Sequence, residues 1–245
     1  MRLILFVSLM ALVQLACAGQ TIDIVTDSWA PYAFEKDNRV VGSDVDIVRE
    51  VFRKMGINAN IRLLPWKRCI NQVKSLQADA ILAISVTEER KAFLHYPEEP
   101  VSEGVTVFFK KAGSDIRSVN IDNPENLDVG AMLGYHYCEE LDDSRLIKNA
   151  TRVPTLEQLL SMLALGRIDL AVEVELVGMY KARAMGLSDK LSIVADTEYC
   201  QGGNYLAFAK KPGYEELATR FAEELKKFKT TDAYQQIIKT YNGAL

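Results

Sequence analysis

The chain has only two histidines and four cysteines, and no two cysteines are spaced as CxxC. A zinc site is therefore not expected, and no motif calls for a cofactor. Basic residues are not in excess: 29 lysines and arginines stand against 33 acids, for a formal charge of −4. There is no basic stripe of the kind that phosphate binding needs, which argues against nucleic acid as a partner. Beyond the first twenty residues no apolar run approaches the roughly 20 residues that cross a bilayer. Low-complexity tracts and true internal repeats are also missing.

The one strongly apolar stretch opens the chain. Arg2 precedes "LILFVSLMALV", and "ACA" (Ala16, Cys17, Ala18) fits a small-x-small cleavage site. This is the pattern of a secretory signal over residues 1–18, too short and wrongly flanked for a spanning anchor. Lipid attachment at Cys17 is the competing reading, but Gln14 stands where a lipoprotein signal usually has leucine. The mature chain is expected in the periplasm. Its remaining cysteines, Cys69, Cys138 and Cys200, would lie where disulfides persist. Three is odd, so at most one bridge forms.

Past the signal segment, strand and helix patterns alternate. "TIDIVTD" (Thr21–Asp27) switches between apolar and polar residues, as a strand does. After a turn-rich loop, Ile47, Val48, Val51, Phe52 and Met55 make one helical face, and Gly56 stops it. "ANIRLL" predicts a strand, "KRCINQVKSLQ" a short helix, and "DAILAIS" a buried parallel strand. "GVTVFFKK" (Gly104–Lys111) is another strand, and "DVGAML" starts a second alternation. Thr155 with Gln158 forms a capping box for a helix over Leu156–Leu165. "IDLAVEVE", "LVGMYKARAM" and "LSIVAD" then read as strand, helix and strand. "NYLAFAKK" echoes "VTVFFKK", and two helices, 214–227 and 231–241, close the chain.

This pattern predicts an α/β protein with parallel sheets. The two strands ending in Lys-Lys suggest two crossings between two α/β lobes, near Lys110 and near Tyr205. Two antiparallel crossing strands make a hinge, with a ligand cleft between the lobes. The first lobe is expected over 19–108 and 205–245, the second over 109–204.

Six segments, in order, carry a resemblance over nearly the whole mature chain: "WAPYAFE", "VGSDVDIVREVFRKMG", "LPWKRCINQVKSLQADAILAISVTEERKAFLHYP", "DVGAMLG", "LEQLLSMLALGRIDLAVE" and "LAFAKKPGYEEL". The chain resembles the family 3 extracytoplasmic solute-binding proteins, the polar amino-acid binding components of bacterial ABC importers. The most specific signature is S-x-T-x-x-R after a buried strand, here Ser85, Thr87 and Arg90. The resemblance implies a two-lobed type II periplasmic-binding fold, a monomer, a small amino-acid or related carboxylate ligand, and an ABC permease partner in the membrane.

The resemblance also implies that Arg90 grips the ligand's carboxylate. A guanidinium fork suits that role, and Ser85 would share the anion. Trp29 and Tyr32, in the first βα loop, offer aromatic faces, with Trp66 on the opposite side. Arg68 is a candidate second anion contact. Two positions depart from the family pattern. Tyr135 stands where a threonine is usual. Val174 stands where an aspartate often binds the α-ammonium, flanked by Glu173 and Glu175. Either one of these glutamates replaces the aspartate or both face water, so a ligand without an α-amino group stays open. Cys138 and Cys200 both fall in the second lobe near the cleft and are the expected disulfide pair, with Cys69 a buried thiol.

Two rivals remain. Exported cyclohexadienyl dehydratases resemble these binding proteins and need a general acid in the cleft, for which Glu173, Glu175 or His95 would have to serve. A ligand-sensing module acting through a separate membrane partner is the other. His95 and His136 otherwise read as surface or hydrogen-bonding histidines.

Overall fold

A computed structural model describes residues 20–124, 126–195 and 199–242. The expected signal segment, 1–18, lies outside the described residues. The first half of the chain builds β1 (Thr21–Thr26), a hairpin of β2 (Phe34–Lys36) and β3 (Arg39–Val41), and α1 (Ser43–Lys54). It continues with β4 (Asn58–Leu63), α2 (Trp66–Lys74), β5 (Ala80–Ile84), α3 (Glu88–Lys91) and β6 (Leu94–His95). The long β7 (Ser102–Lys111) leads to β8 (Val129–Met132), α4 (Glu139–Asp143), α5 (Arg145–Lys148), β9 (Thr151–Val153) and α6 (Leu156–Ala164). Then come β10 (Leu170–Val174), α7 (Glu175–Ala184), β11 (Leu191–Ile193), β12 (Cys200–Ala209), α8 (Tyr214–Lys229) and α9 (Asp232–Asn242).

One sheet path runs β4-β1-β5-β12-β7-β10-β8-β9. β4, β1 and β5 are parallel, as are β10, β8 and β9. The centre is antiparallel: β12 pairs with β5 and with β7, and β7 with β10. Each end of this sheet is a βα lobe, and β7 and β12 are the two strands shared between them. Their mutual register runs from Ser102↔Asn204 to Thr106↔Cys200. β7 begins two residues before the apolar pattern suggests and β12 four before, because this polar, glycine-containing stretch pairs with its partner strand.

The helices form for ordinary reasons. α1 has Asp44 and Asp46 in its first turn and Arg53 and Lys54 in its last, matching its macrodipole. It buries Ile47, Val48, Val51 and Phe52 against β1, β5 and α8. Thr155 caps α6 by accepting from the Gln158 N–H. The second lobe packs Leu159, Leu160 and Leu163 of α6 with Phe109 and Ala171 of the sheet. α7 lies so close to β7 that a Cβ on Gly178 would come within 2.3 Å of the Phe109 ring. The short β2, β3, α4, α5 and β9 are too brief for periodicity to reveal.

Candidate functional site

The carboxyl ends of β1, β5, β8 and β10 converge at the cleft, the place where open α/β sheets bind ligands. The cavity there is about 70 Å³. Both lobes line it. Asp27 and Trp29 follow β1, Ser85 and Arg90 follow β5, and Tyr135 and Tyr137 follow β8; Glu173 ends β10. The shared strands add Gly104, Thr106 and Asn204.

Arg90 is the cation of this cavity. α3 begins at Thr87, whose hydroxyl accepts from the Arg90 N–H and caps the turn. The arginine side chain returns to the strand end, where Nη1 donates to the Ser85 carbonyl at 3.0 Å and to Ser85 Oγ at 2.7 Å. The Tyr96 hydroxyl donates to the same Ser85 carbonyl. The guanidinium lies 5.7 Å from the centre of the Trp66 ring, within cation–π range. Arg90 is only 9% exposed, and burial pulls its pKa down. Among the described residues no carboxylate lies within 4.0 Å of it. A buried cation without a counter-ion is costly.

Two acids share the cavity. Glu173 is 1% exposed. Its Oε1 accepts from the Val174 N–H, while Oε2 is buried with no hydrogen-bond partner. Burial pushes its carboxyl up to about 7, with the Val174 N–H and the Trp29 indole pulling the other way. The Trp29 N–H is nevertheless outside hydrogen-bond geometry and is itself buried and unpartnered. Asp27 is pushed up to about 6 by burial, opposed by the Tyr135 hydroxyl and by its own backbone N–H.

The lobes meet across the cavity. Tyr135 donates its hydroxyl to Asp27 Oδ2 at 3.0 Å, and Trp66 Nε1 donates to the Gly134 carbonyl at 3.2 Å. The Tyr135 ring stands edge-on to Trp66 with centroids 6.0 Å apart. Tyr137, behind it, accepts from the Met132 N–H and donates to the Val172 carbonyl. Cys138 is bonded to Cys200, tying this loop to the start of β12. His136 pairs with Asp142 beside the cavity. Beneath the cavity, Asn204 Nδ2 donates to Ser102 Oγ, which donates to the fully buried Asp44. That network links both shared strands to α1.

Of the residues picked out by sequence, Trp29, Trp66, Ser85, Arg90, Tyr135 and Glu173 line the cavity, with Ser85 already bonded to Arg90. Five others do not line it. The Thr87 hydroxyl is taken by its cap. Tyr32 backs Trp29, stacked at 4.8 Å, and donates to the Glu103 carbonyl. Arg68 is exposed; two residues on from Trp66 in α2, it lies on the far side of the helix. Glu175 opens α7, where strand alternation has ended, and faces a separate surface groove with Met179 and Gln201. His95 pairs in β6 with Phe208, away from the cavity. Cys69 is a free, buried thiol. Asp27, Tyr137, His136 and Asn204 were not expected there. Asp27 had a signal: it comes directly after the first parallel strand, where ligands bind.

Comparison with known proteins places this architecture. The model of the bacterial extracellular solute-binding proteins, family 3, matches residues 22–244. The chain belongs to that family. It is 26% identical over 218 residues to the probable amino-acid-binding protein YxeM of Bacillus subtilis, covering 88% of this chain and 73% of the relative. It is 24% identical over 228 residues to an arginine-binding periplasmic protein of Mannheimia haemolytica, covering 92% of each. Among solved structures, a histidine kinase sensor domain similar to periplasmic binding proteins superposes with a TM-score of 0.80 at 24% identity, covering 91% of this chain and 96% of that one. The arginine-, lysine-, histidine-binding protein ArtJ of Geobacillus stearothermophilus gives 0.77 at 21%, covering 92% and 95%. The fold is the two-lobed type II periplasmic-binding fold.

Proposed function

We propose that this family 3 solute-binding protein captures a small amino acid, or a related carboxylate, between its lobes in the periplasm and delivers it to an ABC permease. In this reading 19–108 with 205–245 form one moving body and 109–204 the other, hinged at β7 and β12. Arg90 grips the carboxylate with the N–H groups that Ser85 does not hold. Glu173 Oε2 takes the ligand's ammonium from the second lobe. Trp29 and Trp66 wall the site. The observation that carries the reading is the buried Arg90, without a carboxylate partner, facing a buried carboxyl across a two-lobed cavity. A ligand that contacts both lobes favours the closed arrangement by that difference alone.

YxeM and the Mannheimia haemolytica relative are binding proteins, which supports capture without chemistry. The test is calorimetric titration of an amino-acid panel. Arg90→Ala should weaken carboxylate binding by roughly a hundredfold, the size seen when one partner of a buried charge pair is removed. Unchanged binding would remove the anchor and the reading with it. Glu173, a buried acid raised to about 7, is also the kind of group that a dehydratase on this fold needs. Aromatic product from prephenate or arogenate would favour that reading instead.

A further inference from the structure

Three charged side chains reach this cavity, and one of the acids is already answered. Asp27 Oδ2 accepts from Tyr135, a residue of the opposite lobe. The tyrosine ring spans the cleft to do so, seated edge-on against Trp66 and 6.5 Å from the Tyr137 ring. A ligand with a carboxylate and one ammonium would satisfy Arg90 and Glu173. A ligand with a second cation on its side chain would look for Asp27, and the Tyr135 hydroxyl already occupies that carboxylate.

We infer that Tyr135 is a specificity-determining residue: its hydroxyl occupies Asp27 from the opposite lobe, so that the site favours a ligand with one carboxylate and one ammonium over one with a second cation. This rests on the proposed capture of a ligand between the lobes and deepens it. The discrimination is by competition, since a cationic side chain has to displace the Tyr135 hydroxyl to reach Asp27. It sets this chain apart from what the names of its arginine-binding relatives describe.

The experiment is calorimetry on the full mature chain with glycine, L-alanine, L-serine, L-lysine and L-arginine. The wild type should bind one of the three small amino acids at least about tenfold more tightly than either basic one. Tyr135→Ala should gain at least about tenfold for L-arginine or L-lysine. Tyr135→Thr, a smaller change in polarity, serves as the second variant, and melting curves establish that each is folded. Wild-type binding of L-arginine or L-lysine as tight as that of the small ligands overturns the inference, as does the absence of binding by all five. A folded Tyr135→Ala with no gain also overturns it. Arg90→Ala, titrated with whichever ligand binds, judges the underlying reading separately: if that variant still binds, the anchor is wrong, whatever Tyr135 does.

Discussion

Tyr135 and Asp27 belong to opposite lobes and share a hydrogen bond of 3.0 Å across the cleft. Together with the Trp66–Gly134 bond, it joins the lobes through direct protein contacts. Each such bond contributes about 1 kcal/mol, more when an acceptor is charged. The double variant Tyr135→Phe with Trp66→Phe should therefore open the ligand-free protein. Solution scattering would read this as a larger radius of gyration than the wild type's. An unchanged radius would mean that packing, not these two bonds, sets the closure.

Arg90 should not tolerate lysine. Ser85 holds only Nη1 of the guanidinium, and the rest of the planar fork is what would meet a carboxylate bidentately. An ammonium keeps the charge but loses the fork. Arg90→Lys is expected to weaken carboxylate binding by about tenfold, short of the loss in Arg90→Ala because the charge remains. Retention of full affinity in titration would show that charge alone suffices.

The buried carboxyls make ligand-free stability depend on pH. Burial raises Asp27 from 3.8 to about 6, Asp44 from 3.8 to about 7, and Glu173 from 4.5 to about 7. The folded state thus favours their protonated forms. Their contribution is full below the ordinary carboxyl values and is lost as pH rises through 6 to 7. The melting temperature should fall between about pH 4 and pH 7. Glu173→Gln, neutral throughout, should remove about 3 kcal/mol of that loss. The same pH profile in the variant would contradict the burial of a titrating Glu173.

The Cys138–Cys200 bridge spans 62 residues. Closing a loop of that length stabilises the fold by about 4 kcal/mol in the chain-entropy model. Cys200→Ser, or reduction, should lower the melting temperature by about 10 °C. Because the bridge holds the loop that carries Tyr135 and Tyr137, ligand affinity should drop as well. A lower melting temperature with affinity intact would confine the bridge to stability.

How far the sequence reveals this site depends on what each residue needs in order to be seen. Arg90 was legible only through the S-x-T-x-x-R signature that the chain shares with the family it resembles; local pattern alone reads it as an exposed helix arginine. The α6 cap was legible locally, from Thr155 and Gln158 three residues apart. Glu173 and Glu175 could not be separated, since the choice turns on where β10 becomes α7. Arg68 shares a helix with Trp66, and only the rotation of that helix decides which one meets the cleft. Asp27 and Tyr135 lie 108 residues apart, and no spacing rule links a strand end in one lobe to a loop in the other. Local chemistry is written in neighbouring letters, but cross-cleft chemistry arises only when the two lobes close.

That closure makes one further demand on the proton balance. With its carboxyl near 7, Glu173 is mostly protonated slightly below neutrality. A ligand ammonium placed against Oε2 favours the carboxylate and lowers that pKa. Binding at about pH 6.5 should then release up to roughly one proton, falling toward none by about pH 9, where Glu173 is already ionised. Calorimetry in buffers of different ionisation enthalpy measures this number directly. Glu173→Gln should abolish the release from this site while Arg90 still holds the carboxylate. If the wild type releases no proton, the ammonium does not rest on Glu173, and the second lobe recognises its ligand by some other group.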